Sequence, residues 1–257
     1  MQDLKVALVQ ANQVWEDKAA NLANYTALLE TVSNVDLILL PEMFHTGFSM
    51  NAEQLAEEET NSIGLNWLRL TAKAKNSAIY TSLILKENGY YFNRGVFIEP
   101  DGTLHKYDKR KLFGLAGESD FYKAGETEMI VSYKNWKFQL QICYDLRFPE
   151  IVRNTISSNQ TESYDVILYV ANWPEKRISH WKTLLAARAI ENQCCVIGVN
   201  RVGEDGKGLM YSGESMFIDA LGNELVLTKK KETTQIVTLI KEELTNTRKT
   251  LPFLKDR

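Results

Sequence analysis

Apolar positions along the chain follow two rhythms, and each predicts a different element. Residues 4–9 form a short apolar run that reads as a first strand. Leu22, Tyr25, Leu28, Leu29 and Val32 then recur at steps of three and four, the spacing of an amphipathic helix. Residues 36–40 are a continuous apolar run stopped by Pro41, as in a strand buried on both faces. A second helix is predicted over 62–76, with Ile63, Trp67, Leu70 and Ala74 on its apolar face. Two strands follow at 78–85 and 90–98, joined by the hairpin signal Glu87-Asn88-Gly89. Pro100-Asp101-Gly102 turns the chain into a strand ending near Tyr107, and 129–133 and 137–142 make a further pair. A helix is expected just after Pro149, because proline suits a first helical turn. After a buried strand at 165–170, Ser179 is placed to cap a helix through Glu191 that buries Trp181, Leu184, Leu185 and Ile190. Strands at 194–200, 215–218, 224–227 and 235–239 complete the pattern.

Strands outnumber helices, and hairpins alternate with helical crossovers, which predicts an α/β fold with mixed sheets. There is no internal repeat, and no linker is long enough to divide the chain into separate domains. One domain over residues 1–257 is expected, with a C-terminal tail from about 241. At 257 residues, 44% hydrophobic and 25% charged, the chain is long enough to bury a large core without disulfides or metals. A net charge of −3 gives no electrostatic reason to expect nucleic acid or an anionic membrane as partner. No stretch approaches the length of an apolar membrane span, and the first residues lack the run of a secretory signal. The three cysteines include an adjacent pair, Cys194 and Cys195, and form no C-x-x-C unit. That usage suits a reducing compartment, so a cytoplasmic location is expected.

The candidate chemistry lies where strands end. Glu42 follows the 36–40 strand after one proline, Lys109 follows the strand ending at Tyr107, and Cys143 follows the 137–142 strand directly. In open α/β sheets ligands collect beyond the carboxyl ends of strands, so an acid, an ammonium and a thiol so placed can converge. Their chemistry is coherent. A thiol is only slightly ionised at neutral pH and needs a base or a cation beside it. Glu42 is suited to take the proton of Cys143 and return it to a leaving amine, while Lys109 and the N–H of Tyr144 are suited to hold an oxyanion. On residue types alone a bland alternative stands, with Glu42 a surface acid, Lys109 within the basic run 106–111 and Cys143 a small core residue.

The local sequences weigh against that alternative. Leu-Leu-Pro41-Glu42-Met-Phe, Tyr107-Asp-Lys109-Arg-Lys-Leu-Phe and Gln-Ile-Cys143-Tyr-Asp-Leu-Arg-Phe-Pro-Glu150 resemble, in order, the three catalytic boxes of the nitrilase superfamily of carbon-nitrogen hydrolases. Val170-Ala-Asn-Trp-Pro174, His180-Trp181 and Ala187-Arg-Ala-Ile-Glu-Asn192 extend the resemblance over nearly the whole chain. Asn200-Arg-Val-Gly203, Tyr211-Ser-Gly-Glu-Ser215 and Leu251-Pro-Phe-Leu resemble its omega-amidase branch. The resemblance implies a four-layer α-β-β-α sandwich, a homodimer, and a Glu42-Lys109-Cys143 triad working without metal or organic cofactor. It also implies hydrolysis of the terminal amide of 2-oxoglutaramate or 2-oxosuccinamate. Glu118, in Ala-Gly-Glu-Ser, matches a second glutamate of the family and is suited to orient Lys109 or the substrate. Lys111 stands where histidine is common in relatives, outside the triad.

A substrate with a free carboxylate needs a cation, and Arg147 is the candidate, with an ion pair to Asp145 or Glu150 as its structural alternative. Phe44 and Trp173 lie just past strand ends and are candidates for the pocket wall, with core packing the alternative for each. His45, His105 and His180 fit no common metal-ligand spacing. Cys194 and Cys195 read as inert packing, Arg188 and Glu191 as a structural pair on one helix, and Lys229-Lys-Lys231 as a solvated turn. Two other classes compete with an omega-amidase: an amidase or N-carbamoyl hydrolase for another small acid, and a non-catalytic scaffold of the same fold.

Overall fold

A computed structural model describes residues 2–157, 161–226 and 229–257. The first half of the chain builds one sheet from β1 (Leu4–Gln10), β2 (Leu37–Leu39), β3 (Glu57–Glu58), β4 (Ala78–Glu87), β5 (Tyr90–Ile98) and β6 (Leu104–Asp108). The second half builds another from β7 (Ile130–Tyr133), β8 (Trp136–Ile142), β9 (Val166–Ala171) and β10 (Cys195–Asn200). A small ribbon, β11 (Val202–Glu204) with β12 (Met210–Ser212), precedes β13 (Met216–Ile218) and β14 (Glu224–Val226), which extend the second sheet. The last strand, β15 (Thr233–Leu239), returns to the first sheet and pairs antiparallel with β1. Each large sheet has a parallel centre and antiparallel edges: β1, β2 and β4 run parallel in one, β8, β9 and β10 in the other.

Period-two alternation decides which side chains meet. Val6, Leu8, Leu37 and Leu39 face inward onto Phe138, Leu140, Val166 and Leu168 of the opposing sheet. Their neighbours Ala7, Val9, Ile38 and Leu40 face outward onto Tyr25 and Leu29 of α1 (Lys18–Leu29) and Leu65 and Leu68 of α3 (Ile63–Lys75), which flank the short α2 (Ala52–Leu55). On the far side Ile167, Tyr169 and Val196 pack under Trp181, Leu185 and Ala189 of α5 (Ile178–Asn192), which follows the single turn α4 (Glu118–Phe121). Helix, sheet, sheet, helix is the four-layer order that the sequence resemblance implied. Both faces of each sheet are covered, which is why the central strands read as unbroken apolar runs.

Several local expectations differ from the structure. In α3 the buried face carries Gly64, Leu65, Leu68 and Ala72, while Ile63 and Leu70 are 51% and 71% exposed. That helix has apolar residues on two stripes, and packing against β2 and β4 selects one. In α5 Ile190 points outward, and Ser179 makes no capping bond. Past Pro149 the chain forms a single 3-10 turn, Pro149–Val152, in place of a longer helix. The strand expected over 224–227 is seen as Glu224–Val226, and Leu227 lies outside the described residues.

The C-terminal segment forms α6 (Lys241–Thr250) and buries Leu244 and Leu254. Asp165, at the entry to β9, holds that helix through Lys241 at 2.6 Å and Arg248 at 2.9 Å. Lys229 and Lys230 are exposed and lie 3.3 and 3.0 Å from Glu175. Among the described residues no helix is long and apolar enough to cross a membrane.

Candidate active site

Four strand ends deliver the polar groups. Beyond β2, Leu40 and Pro41 lead to Glu42, whose loop is tied to β4. Thr81 Oγ1 donates to the Pro41 carbonyl at 2.7 Å, and Ser82 Oγ accepts the Met43 N–H at 2.9 Å. Lys109 follows β6 with its N–H on the Asn93 carbonyl. Cys143 follows β8 and opens a 3-10 turn, Cys143–Arg147. Asn172 follows β9. Met43 and Cys143 both have positive φ, +46° and +43°, a conformation that costs a non-glycine residue free energy and is kept where the surroundings over-determine it.

The acid and the ammonium form one buried cluster. Lys109 Nζ lies 2.9 Å from Glu42 Oε1 and 2.9 Å from both oxygens of Glu118, and all three side chains are essentially inaccessible. Asn93 Nδ2 donates to Glu42 Oε1 at 2.8 Å and to Glu118 Oε1 at 3.1 Å. The Asn172 N–H reaches Glu42 Oε2 at 2.9 Å, and the Phe113 N–H reaches Glu118 Oε2 at 2.6 Å. Burial alone would lower the pKa of Lys109, but the charges of Glu118 and Glu42 outweigh it and raise it above the ordinary lysine value. Cys143 is half-buried, with Sγ 3.9 Å from the Asn172 carbonyl. Burial and the charge of Glu42 push its thiol well above the ordinary range, and Lys109 offsets only a fraction of that. Burial and Glu42 thus favour the thiol over the thiolate at Cys143.

Cys143 and Lys109 line a pocket of about 70 Å³ whose walls include Phe48, Phe113, Tyr144 and Trp173. Of the candidates, Trp173 lies in that wall, with its indole N–H on the Arg177 carbonyl at 2.8 Å. Phe44 does not: it is fully buried on the far side of the first sheet, 5.6 Å from the ring of Tyr25 and 5.7 Å from that of Trp67. A residue two positions after a strand-end acid turns back under the sheet here, so Phe44 is core. Tyr144 contributes its ring to the wall, packed on Phe113 and Phe148 at 4.9 and 5.2 Å. Its N–H belongs to the first turn of a helix, where backbone donors lack partners within the turn.

Arg147 also reaches the pocket. Its guanidinium stacks over Trp173 at 4.7 Å and donates to His180 Nδ1 at 3.3 Å. Among the described residues it makes no ion pair with Asp145 or Glu150. Asp145 accepts from Tyr107, Ile142 and Lys111, and Glu150 lies 3.8 Å from Lys111.

Sequence reasoning passed over Asn93 and Arg177, took Asp145 only as a possible partner of Arg147, and quoted Asn172 only as part of a motif. Asn93 did leave a signal, an amide within an apolar strand, since a buried polar group of that kind needs partners. Arg177 left none. It enters the pocket wall from the turn before α5, stacks over Phe113 at 5.4 Å, and pairs with no carboxylate among the described residues.

Known proteins share this arrangement of sheets over most of the chain. The crystal structure of XC1258 from Xanthomonas campestris, a CN-hydrolase superfamily protein with an arsenic adduct in its active site, superposes with a TM-score of 0.97. It is 41% identical, and the match covers 100% of this chain and 98% of that one. The omega-amidase YafV of Yersinia enterocolitica is 47% identical over 86% of this chain and 84% of its own length. The 2-oxoglutaramate amidase of Bacillus subtilis is 32% identical over 87% and 85% respectively. Residues 5–249 match the family described as carbon-nitrogen hydrolase, and with the fold and these relatives in agreement, the chain belongs to that family.

Proposed function

We propose that the protein is an omega-amidase, hydrolysing the terminal amide of 2-oxo dicarboxylate monoamides such as 2-oxoglutaramate and 2-oxosuccinamate to the 2-oxo diacid and ammonia. The observation that carries the reading is the juxtaposition of a buried Glu42–Lys109–Glu118 cluster with the Cys143 thiol in a pocket that also presents two guanidinium groups, neither paired with a carboxylate among the described residues. Glu42 takes the thiol proton as Sγ attacks the amide carbon. The oxyanion so formed is held by the Lys109 ammonium and the Tyr144 N–H. Collapse breaks the carbon–nitrogen bond, and Glu42 gives its proton to the nitrogen, releasing ammonia and leaving a thioester. Water then attacks the thioester carbon as Glu42 takes its proton; collapse breaks the carbon–sulfur bond, Glu42 returns the proton to the sulfur, and the 2-oxo diacid is released. Glu118 keeps Lys109 in place. No step calls on a metal or an organic cofactor.

Arg147 and Arg177 suit the substrate carboxylate, since a guanidinium offers a planar, two-point match to it. Trp173 supplies an apolar wall against the carbon chain. In this reading the protein is a single domain, a cytoplasmic homodimer, and needs neither nucleic acid nor membrane. The deciding measurement is ammonia release from 2-oxoglutaramate beside glutamine and a carbamoyl amino acid. Turnover greatest on 2-oxoglutaramate is expected. Preference for glutamine or for the carbamoyl compound would move the protein to another amidase branch. No release from any of them, with Cys143 inert to iodoacetamide, would leave a silent scaffold.

A further inference from the structure

Cys143 and Lys109 come from different sheets, so their separation depends on whatever joins the sheets at this end. One carboxylate does so directly. Asp145 Oδ2 accepts the Ile142 N–H at 3.0 Å and the Tyr107 hydroxyl at 2.9 Å, while Oδ1 accepts the Lys111 N–H at 2.8 Å. Ile142 immediately precedes the cysteine, and Tyr107 and Lys111 flank Lys109 by two residues on either side. The carboxylate thus closes the turn that holds Cys143 at φ +43° and fastens that turn to the chain on both sides of Lys109. From the opposite side Arg188 Nη2 of α5 donates to the Leu146 carbonyl at 2.7 Å, so the turn is held between two elements.

Asp145 is fully buried and its three hydrogen-bond donors are neutral. A buried carboxylate without a cation in contact is a poor stabilising device, because desolvation opposes the charge. Its use lies in geometry. Three donors converge on one small group, and only an acceptor at both oxygens satisfies them all. Asparagine fits badly there, since its NH₂ must face one of the two backbone N–H groups.

We propose that Asp145 is a positioning residue, a latch that sets the registry of Cys143 against Lys109 without touching the substrate. The inference rests on the amidase reading for its kinetic readout but has a second readout that does not. In the full-length protein, Asp145→Asn is expected to lower kcat on 2-oxoglutaramate by roughly 10²-fold, the scale of a misplacement of about 1 Å, with KM within about twofold of wild type. Alkylation of Cys143 by iodoacetamide should slow in parallel. Tyr107→Phe removes one donor and keeps both N–H bonds, so a smaller fall in kcat at unchanged KM is expected.

Val196→Ala, in the core beneath α5, serves as the control for general loosening. It should lose thermal stability while keeping kcat. Wild-type kcat and alkylation rate in Asp145→Asn would overturn the proposal, as would an equal loss of kcat in Val196→Ala at matched Tm. Should Asp145→Asn fail to fold, an unchanged kcat in Tyr107→Phe overturns it and a selective kcat loss supports it. If the wild type hydrolyses no amide, the amidase reading fails by itself. The alkylation rates of the variants then decide the latch: slowing supports it, and wild-type rates overturn it.

Discussion

Two buried clusters in this protein are built from nearly the same groups. In one, Glu42 and Glu118 share Lys109. In the other, Glu57 accepts Lys18 Nζ at 2.8 Å and His45 Nε2 at 3.1 Å on one oxygen, and the Ser62 hydroxyl and the Gly64 N–H on the other. Serine, histidine and an acid gathered in one place invite a catalytic reading. The wiring refuses it. In a serine nucleophile the hydroxyl meets the imidazole and the acid lies behind it. Here the Ser62 hydroxyl donates to the acid itself and accepts the Leu65 N–H as the cap of α3. That cluster pins the starts of two helices to a short strand. A cavity opens on Lys18 and Glu57 as well, so the Glu42 cluster differs in having a thiol beside it and a cation divided between two carboxylates. Burial and residue type do not separate a structural knot from a reactive one; the direction of each hydrogen bond and a nucleophile within reach do.

The largest effect on this contrast comes from removing the sulfur. Cys143→Ala is expected to reduce amide hydrolysis to background while circular dichroism and Tm stay at wild-type values; retained turnover would remove it as nucleophile. Next comes the acid. Glu42→Gln should lose about 10²- to 10⁴-fold in kcat, the usual range for a positioned proton shuttle, whereas Glu57→Gln should lower Tm and leave kcat alone. Equal kinetic losses in both would erase the difference between the clusters.

Arg147→Leu probes the pocket in front of the reactive cluster. Loss of a charge-assisted hydrogen bond worth about 1.5–3 kcal/mol predicts a KM raised roughly tenfold to a hundredfold, and an unchanged KM would take the substrate carboxylate elsewhere. Acid titration separates the clusters by stability. Burial raises the pKa of Glu57, but hydrogen bonds from His45, Lys18 and Ser62 and the His45 charge outweigh it and hold the carboxyl at about 2 against an ordinary 4.5. The unfolded state then binds more protons between those values, so the contribution of Glu57 is full above pH 4.5 and is lost as the pH falls toward 2. Urea denaturation at stepped pH should show that loss in the wild type and less of it in Glu57→Gln. The smallest effect is expected from Ser62→Ala, a helix cap worth about 1 kcal/mol, with kcat unaffected.

Much of the fold was legible because its signals are local. The runs at β2, β8 and β9 stop at the residues that carry chemistry, and a strand end can be read from one dimension. The helix faces were less legible. α3 carries apolar residues at Ile63, Leu65, Trp67, Leu68 and Leu70, and both stripes satisfy the helical period. Phe44 failed as a wall for a related reason: proximity in sequence to Glu42 says nothing about which side of the sheet its ring takes.

The order of residues alone indicates, to within a residue or two, where the strands that carry the site stop, that a carboxylate, an ammonium and a thiol stand there, and through its three boxes the family they resemble. Folding in three dimensions adds that Asn93 and Asn172 join Glu118 around Glu42 and Lys109, that Asp145 ties the cysteine turn to the lysine, and that Arg177 shares a pocket with Arg147. The reason is that short periods and terminating residues act within one element. Contacts between residues scattered from Glu42 to Arg177 exist only once two sheets stack and bring their carboxyl ends to the same side.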